Sequence, residues 1–343
     1  MMNDTNNSLF IDNKYKTSAN TSFYDRSNNI DFILNTIRGS DFIILWGPSG
    51  IGKTELLKYI ANILRKSNWI TYLYQINIPL YYSRLIIYSP TTLNGKLLLN
   101  NLLRLRNPFK IVDEIIKSVE IARNHGVHGV LWVIDEVHNL EYNRTILIEI
   151  INEIIYARPL EKPLSIIVTS GEGWFLLSNT IIELRRRGAL QHILNELERK
   201  YMLKFMDEYL NRNRYKLTID LNYLYDYYVS GIPGAFISLV NRGITYWLRN
   251  LRVILESSII EIYQRTNIRP RKILEFLANL PVVINRLESD RETLILIDKL
   301  MEYNIVYYDP EKSETVIKPY LPAYKFIAYT ILETRYTRAK RKL

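Results

Sequence analysis

The chain contains no cysteine, which excludes disulfide frameworks, thiolate zinc sites and cysteine nucleophiles together. Histidine is almost as scarce, at four among 343 residues. His125 and His128 stand in RNHGVHGV without a carboxylate or third histidine close by in sequence, a pattern that fits a surface loop better than a metal site. Long apolar runs are missing too. Beyond the first forty residues the longest uncharged stretch is Ser67 to Ser83, broken by Asn68, Gln75, Asn77 and Pro79, whereas a membrane span needs about 20 apolar residues. The opening MMNDTNNSLFIDNKYK has no continuous apolar core, so no signal peptide is expected and a cytoplasmic location away from membranes is. Acid is the minority charge. Lys and Arg number 45 against 35 Asp and Glu, a net +10 that permits contact with phosphates or anionic surfaces without requiring it.

What is present is ordinary globular material: 48% apolar and 23% charged residues, enough chain for two or three domains with a sizeable core. Residues 1–22 are polar, lack periodicity and read as a flexible leader. A helix over 28–37 and the buried-strand run Phe42 to Trp46 come next, then a glycine-rich turn and a helix carrying Leu56, Leu57, Ile60, Ile63 and Leu64 on one face. Further strands are expected at 69–78, 130–134 and 164–170, with helices over 107–126 and 143–157. This alternation predicts an α/β domain over 23–195 with a parallel-sheet core. From about Glu196 the pattern turns helical, giving a helical lid over 196–249 and a further domain over 250–343.

The segment Gly47, Pro48, Ser49, Gly50, Ile51, Gly52, Lys53, Thr54 satisfies G-x-x-x-x-G-K-[ST] between a strand and a helix. Converging N–H groups of such a turn, with that of Glu55 beyond it, cradle phosphate oxygens. Lys53 then reaches the β/γ-phosphates of ATP, and the Thr54 hydroxyl holds Mg²⁺. LWVIDEVHNL ends an apolar strand in two carboxylates. A buried acid there needs metal or water, which gives Asp135 to the Mg²⁺ shell and Glu136 to the attacking water. Thr169 and Ser170 end the next strand, where one hydroxyl, assigned to Ser170, serves the γ-phosphate or that water. Arg185, Arg186 and Arg187 offer an arginine for a neighbour's γ-phosphate, with Arg186 the candidate finger; the plain alternative is a solvated face.

These motifs resemble the AAA+ superfamily and, within it, the archaeal ATPase group related to STAND NTPases and origin-recognition initiators. The resemblance runs from Phe23 to about residue 245 and includes Phe23-Tyr24-Asp25-Arg26, IIVTS and Ser230-Gly-Ile-Pro233-Gly. It implies a P-loop fold with ATP and Mg²⁺ between core and lid. It also places Tyr24, Asp25 and Arg26 near the adenine and Pro233 in the lid. Ser27 departs from the usual acid, and Arg242 is the nearby candidate for a second-sensor arginine.

Toward the C-terminus, helical patterns over 268–280 and 289–306, two short strands around 307–317 and a helix over 320–332 suggest a winged helix. Arg286, Arg291, Lys299 and Lys318, with the basic ending RYTRAKRKL, suit the phosphates of double-stranded DNA; a protein-docking winged helix is the alternative. The functional expectation is an ATP-hydrolysing switch that acts on DNA or on a protein partner, itself or another. A STAND-like scaffold with slow turnover is the competing class.

Overall fold

The computed structural model describes residues 15–37, 42–76, 83–91, 111–137, 139, 164–171, 179–186, 188–284, 289–309 and 315–340. They divide into two compact units: the first takes the described residues up to Gly47 and from Gly52 to Leu194, the second Pro48–Ile51 and the described residues from Asn195 onward.

In the first unit, helix α1 (Ser27–Ile37) buries Ile30, Ile33, Leu34 and Ile37, one stripe at helical spacing. Strands β1 (Phe42–Trp46), β4 (Gly129–Asp135) and β5 (Leu164–Ser170) are buried at every residue. Strands apolar on both faces belong inside a sheet covered on both sides. The sheet order is β3-β2-β4-β5-β1-β6, with β2 (Trp69–Gln75) and β6 (Leu190–Ile193) parallel to their neighbours β4 and β1. Its edge strand β3 (Arg84–Tyr88) runs antiparallel to β2. The expected parallel core is therefore corrected to a mixed, mostly parallel sheet. Neither β3 nor β6 was expected, because both are short and carry less than full burial.

Helices α2 (Lys53–Lys66), α3 (Ile111–Asn124) and α4 (Asn179–Arg186) complete the described part of this unit. Trp132 stacks on Tyr72 with centroids 4.7 Å apart and donates to the Ser118 hydroxyl of α3 at 2.9 Å. The helix expected over 143–157 lies outside the described residues. Residues 15–22, read as part of the leader, have defined contacts: Tyr15 meets Tyr59 edge-on at 4.8 Å, and the Ser18 N–H donates to Glu55 at 2.9 Å.

The second unit begins with α5 (Arg199–Asn213) and α6 (Leu221–Leu224), which passes into a π turn over Tyr225–Val229. Asp220 caps α6 through the N–H groups of Asn222 and Tyr223. Proline opens α7 (Pro233–Arg242) and α9 (Pro270–Ala278), where its missing N–H has no helical partner to lose. Between them α8 (Ile244–Thr266) runs unbroken across position 249/250, where the sequence pattern divides lid from C-terminal domain. Then come β7 (Val282–Ile284), α10 (Arg291–Glu302), β8 (Val306–Asp309), β9 (Thr315–Pro319) and α11 (Pro322–Lys340). The three strands form an antiparallel sheet in the order β7-β9-β8. The β8–β9 hairpin falls where the sequence placed two strands; β7, only three residues long, was not foreseen. Phe236, fully buried, anchors α7 against Phe205 and Tyr209 of α5. Glu196 accepts from the hydroxyls of Ser230 and Tyr307, the latter at 2.8 Å.

Candidate active site

The parallel direction of β1, β4 and β5 brings their C-terminal ends to one edge of the sheet. Chain leaving β1 turns through the glycine-rich segment into α2, whose N-cap Gly52 has φ 105°, a left-handed backbone that side chains rarely adopt. No side chain caps this helix, so no capping side chain competes with an anion at its N-terminus. Lys53, 3% exposed, donates to the Gly47 carbonyl at 2.8 Å and lies 3.9 Å from Glu136. Thr54, one residue on, donates to Asp135 Oδ2 at 2.7 Å.

Asp135 is the centre of the arrangement, and it is 1% exposed. Three side chains converge on its carboxylate: Thr54 at 2.7 Å and Gln75 at 3.3 Å on Oδ2, and Thr169 at 2.6 Å on Oδ1. The Thr169 oxygen also accepts the Glu136 N–H at 3.0 Å, which fixes the backbone of a residue whose φ is 59°. A non-glycine residue in that region is held by its surroundings. Burial pushes the Glu136 carboxyl above the ordinary range; Lys53 opposes the rise and Asp135 adds to it.

Of the two hydroxyl residues ending β5, Thr169 thus contacts Asp135, while Ser170, also buried, accepts the Gly47 N–H on its carbonyl at 3.4 Å. Glu55 turns its carboxylate to Lys58 and the Ser18 N–H, each at 2.9 Å. Burial alone would raise its pKa, but these partners hold it below the ordinary range. Only its backbone therefore remains for phosphate. Tyr24 and Asp25 are half-buried at the entry to α1, and Arg26 is 4% exposed. Burial lowers the Arg26 pKa to about 10, against the pull of Asp25, so it remains charged at neutral pH.

Pro48 to Ile51 belong to the second unit. There the Gly50 carbonyl accepts the Gly234 N–H at 2.9 Å, and the Ser49 N–H donates to the Tyr320 hydroxyl. A Cβ on Gly234 would fall 2.6 Å from the Gly50 Cα, so the glycine after Pro233 is demanded by backbone approach. Arg242 is exposed in the last turn of α7. Arg185 and Arg186 are exposed in the last turn of α4, and Arg187 lies outside the described residues. Among the nominated DNA contacts, Arg291 opens α10 and is exposed, while Lys318 is half-buried on β9. Lys299 is held by both carboxylate oxygens of Glu302 at 2.7 Å; Arg286 lies outside the described residues.

Gln75 was not foreseen. Its signal was a polar residue closing an apolar strand, but only the β2–β4 register, which pairs Gln75 with Asp135, gives that polarity a target. Among the described residues no group of three or more His, Asp or Glu side chains could hold a metal. A cation here would rest on the oxygens of Thr54 and Asp135, hard donors of the kind Mg²⁺ takes together with phosphates.

The model of an ATPase domain found predominantly in Archaea matches residues 23–239. No curated protein matches the sequence. Among solved structures, the Walker-type ATPase PABY2304 of Pyrococcus abyssi is similar at 15% identity and a TM-score of 0.60, with 92% of this chain and 99% of that one covered. The ORC2 protein of Aeropyrum pernix is a fainter likeness, at 13% identity and TM-score 0.45 over 94% and 97% of the two chains. The ORC1 protein of the same organism, solved in complex with DNA, gives 11% and 0.42 over 90% and 93%. At these scores neither ORC likeness bears on function. The family match spans more than half of the chain and contains the Gly47–Thr54 turn and the Asp135 cluster; the chain belongs to this archaeal ATPase family, and it hydrolyses ATP.

Proposed function

We propose that the chain is a Mg²⁺-dependent switch of the AAA+ type whose C-terminal elements form a winged helix that binds double-stranded DNA. The buried Asp135 carboxylate, with Thr54, Thr169 and Gln75 converging on it, carries the nucleotide half of this reading. The N–H groups opening α2 and the Lys53 ammonium hold the β/γ-phosphates of ATP, an electrostatic task for a preorganised site. Asp135 and Thr54 hold Mg²⁺, which when bound neutralises charge on the phosphate oxygens. Glu136 takes the proton of the attacking water, its raised pKa improving it as a base. Thr169 holds Asp135 and the Glu136 backbone in register. The middle of the phosphate turn, Pro48 to Ile51, is packed with the second unit, which supports nucleotide state being felt there. Arg186, exposed, is available to a neighbouring subunit's site.

For the target, the order α9-β7-α10-β8-β9 with its small antiparallel sheet supports the winged-helix reading. Arg291 at the start of α10 and Lys318 on β9 would meet DNA phosphates. One observation favours the competing class, a slowly turning scaffold with a protein-docking winged helix: Lys299 is already neutralised by Glu302. A salt-dependent titration of the full chain with duplex DNA, with and without ATP, separates the two. DNA binding predicts affinity that falls steeply with salt. Absence of binding at low salt would transfer the protein to the scaffold class.

A further inference from the structure

Helix α8 buries Trp247, Leu251, Leu255, Ser258, Ile259 and Ile262 along one face. At about 100° per residue, Tyr246, Val253 and Ile260 line up on the opposite face, one heptad apart. They are 63%, 54% and 55% exposed. Isolated exposed apolar residues need no explanation, but a stripe repeated at heptad spacing is the pattern by which one helix seats another.

We propose that this stripe joins two copies of the chain through an antiparallel α8–α8 contact centred on Val253. The charges bordering the stripe select both the partner and the direction. Arg249 and Glu256 are themselves one heptad apart and opposite in sign, and Arg249 has no ion pair among the described residues. Glu256 accepts from Arg252 of its own helix through Oε1 alone, at 3.0 Å, which leaves Oε2 to a second cation. A two-fold axis makes any such contact self-complementary. With the axis at Val253, Tyr246 meets Ile260 of the second copy, Val253 meets its own counterpart, and each Arg249 comes within a residue of the Glu256 opposite. A parallel pair would instead set Arg249 on Arg249 and Glu256 on Glu256, and like charges there are repulsive.

This contact is independent of the nucleotide and DNA readings, and none of its residues belongs to either site. Sedimentation velocity on the full chain over a concentration series is expected to show a monomer–dimer equilibrium. Val253→Arg, which puts two like charges on the axis, should sediment as monomer with an unchanged circular dichroism spectrum and ATP affinity. Arg249→Glu and Glu256→Arg should each weaken the dimer by about tenfold, since every change strikes two symmetric pairs. The double variant should recover wild-type affinity. The lack of native cysteine allows a direct distance test: Val253→Cys should give a disulfide-linked dimer on mild oxidation, whereas Val283→Cys, equally exposed on β7, should not. A wild type that stays monomeric throughout, a Val253→Arg dimer, or a double variant no tighter than either single one would overturn the proposal.

Discussion

A carboxylate that must accept a proton works best when its affinity for that proton is raised, and Glu136 meets the condition through burial next to Asp135. The rate of ATP hydrolysis should therefore fall on the acid side as Glu136 protonates, at a pH above that of a free glutamate. Glu136→Gln should remove this limb, lower kcat by about 10²–10⁴-fold and leave ATP bound; a full-rate Gln variant with the same pH profile would assign the base elsewhere. The same shift has a consequence for stability. A carboxyl whose folded pKa lies above its unfolded one favours the fold at low pH, and that contribution is lost as pH rises through the folded value. Replacing Glu136 by Gln should thus stabilise the protein most at neutral pH, read from denaturant midpoints. Thr169→Val removes the hydroxyl shared by Asp135 and the Glu136 N–H. Leaving the buried Asp135 carboxylate and the half-buried Glu136 N–H each short of a partner should cost about 1–3 kcal/mol and reduce kcat, whereas Thr169→Ser should retain both bonds.

At the scale of elements, α7 shows why its leading sequence is Gly-Ile-Pro-Gly. Proline fixes the first turn, and the glycine after it lets the helix start at a distance from Gly50 that admits no Cβ. Gly234→Ala forces backbone to move on one side or the other. The expected result is a loss of about 1–3 kcal/mol, as for other overpacked contacts, together with weaker ATP binding because the phosphate turn shifts. Phe236→Ala, two residues on, empties a site surrounded by Phe205 and Tyr209 and should cost about 3–5 kcal/mol without a matching change in ATP affinity at temperatures where the variant stays folded. Thermal melts combined with nucleotide titration distinguish the two effects. Equal losses of affinity in both variants would mean that α7 acts on the phosphate turn only through overall stability.

For the molecule as a whole, the DNA reading makes a graded prediction. Each phosphate contact that is lost should lower the slope of log affinity against log salt by about 0.9. Arg291→Ala is expected to show that reduction. Lys299→Ala is expected to leave the slope nearly unchanged, because Glu302 already satisfies its ammonium. An equal effect of the two would show that the Lys299 pair opens on binding. Arg186, 76% exposed and only 4.0 Å from Glu183, is cheap to remove structurally. If it serves a neighbouring site, Arg186→Ala should bind ATP normally yet lose hydrolysis, while wild-type activity rises more than linearly with protein concentration.

By itself the sequence determined the features that a short window encodes. The glycines, lysine and threonine of residues 47–54 act through backbone freedom and adjacency. The five-residue apolar run before Asp135 marks a buried strand, and the stripe after Thr54 a helix with one buried face. Family resemblance was legible for the same reason, since its motifs are local. What tertiary structure alone decided depends on residues far apart in the chain. Thr54 and Asp135 are separated by 81 positions and Asp135 and Thr169 by 34. Which hydroxyl of the pair 169–170 faces the carboxylate follows from strand register, because successive side chains on a strand point to opposite faces and a slip of one residue exchanges them. Gln75 joined the site, β3 turned antiparallel and α8 displayed Tyr246, Val253 and Ile260 for one physical reason: pairing partners and burial are set by the assembled core, and a linear pattern fixes only which residues share a face, not what that face meets.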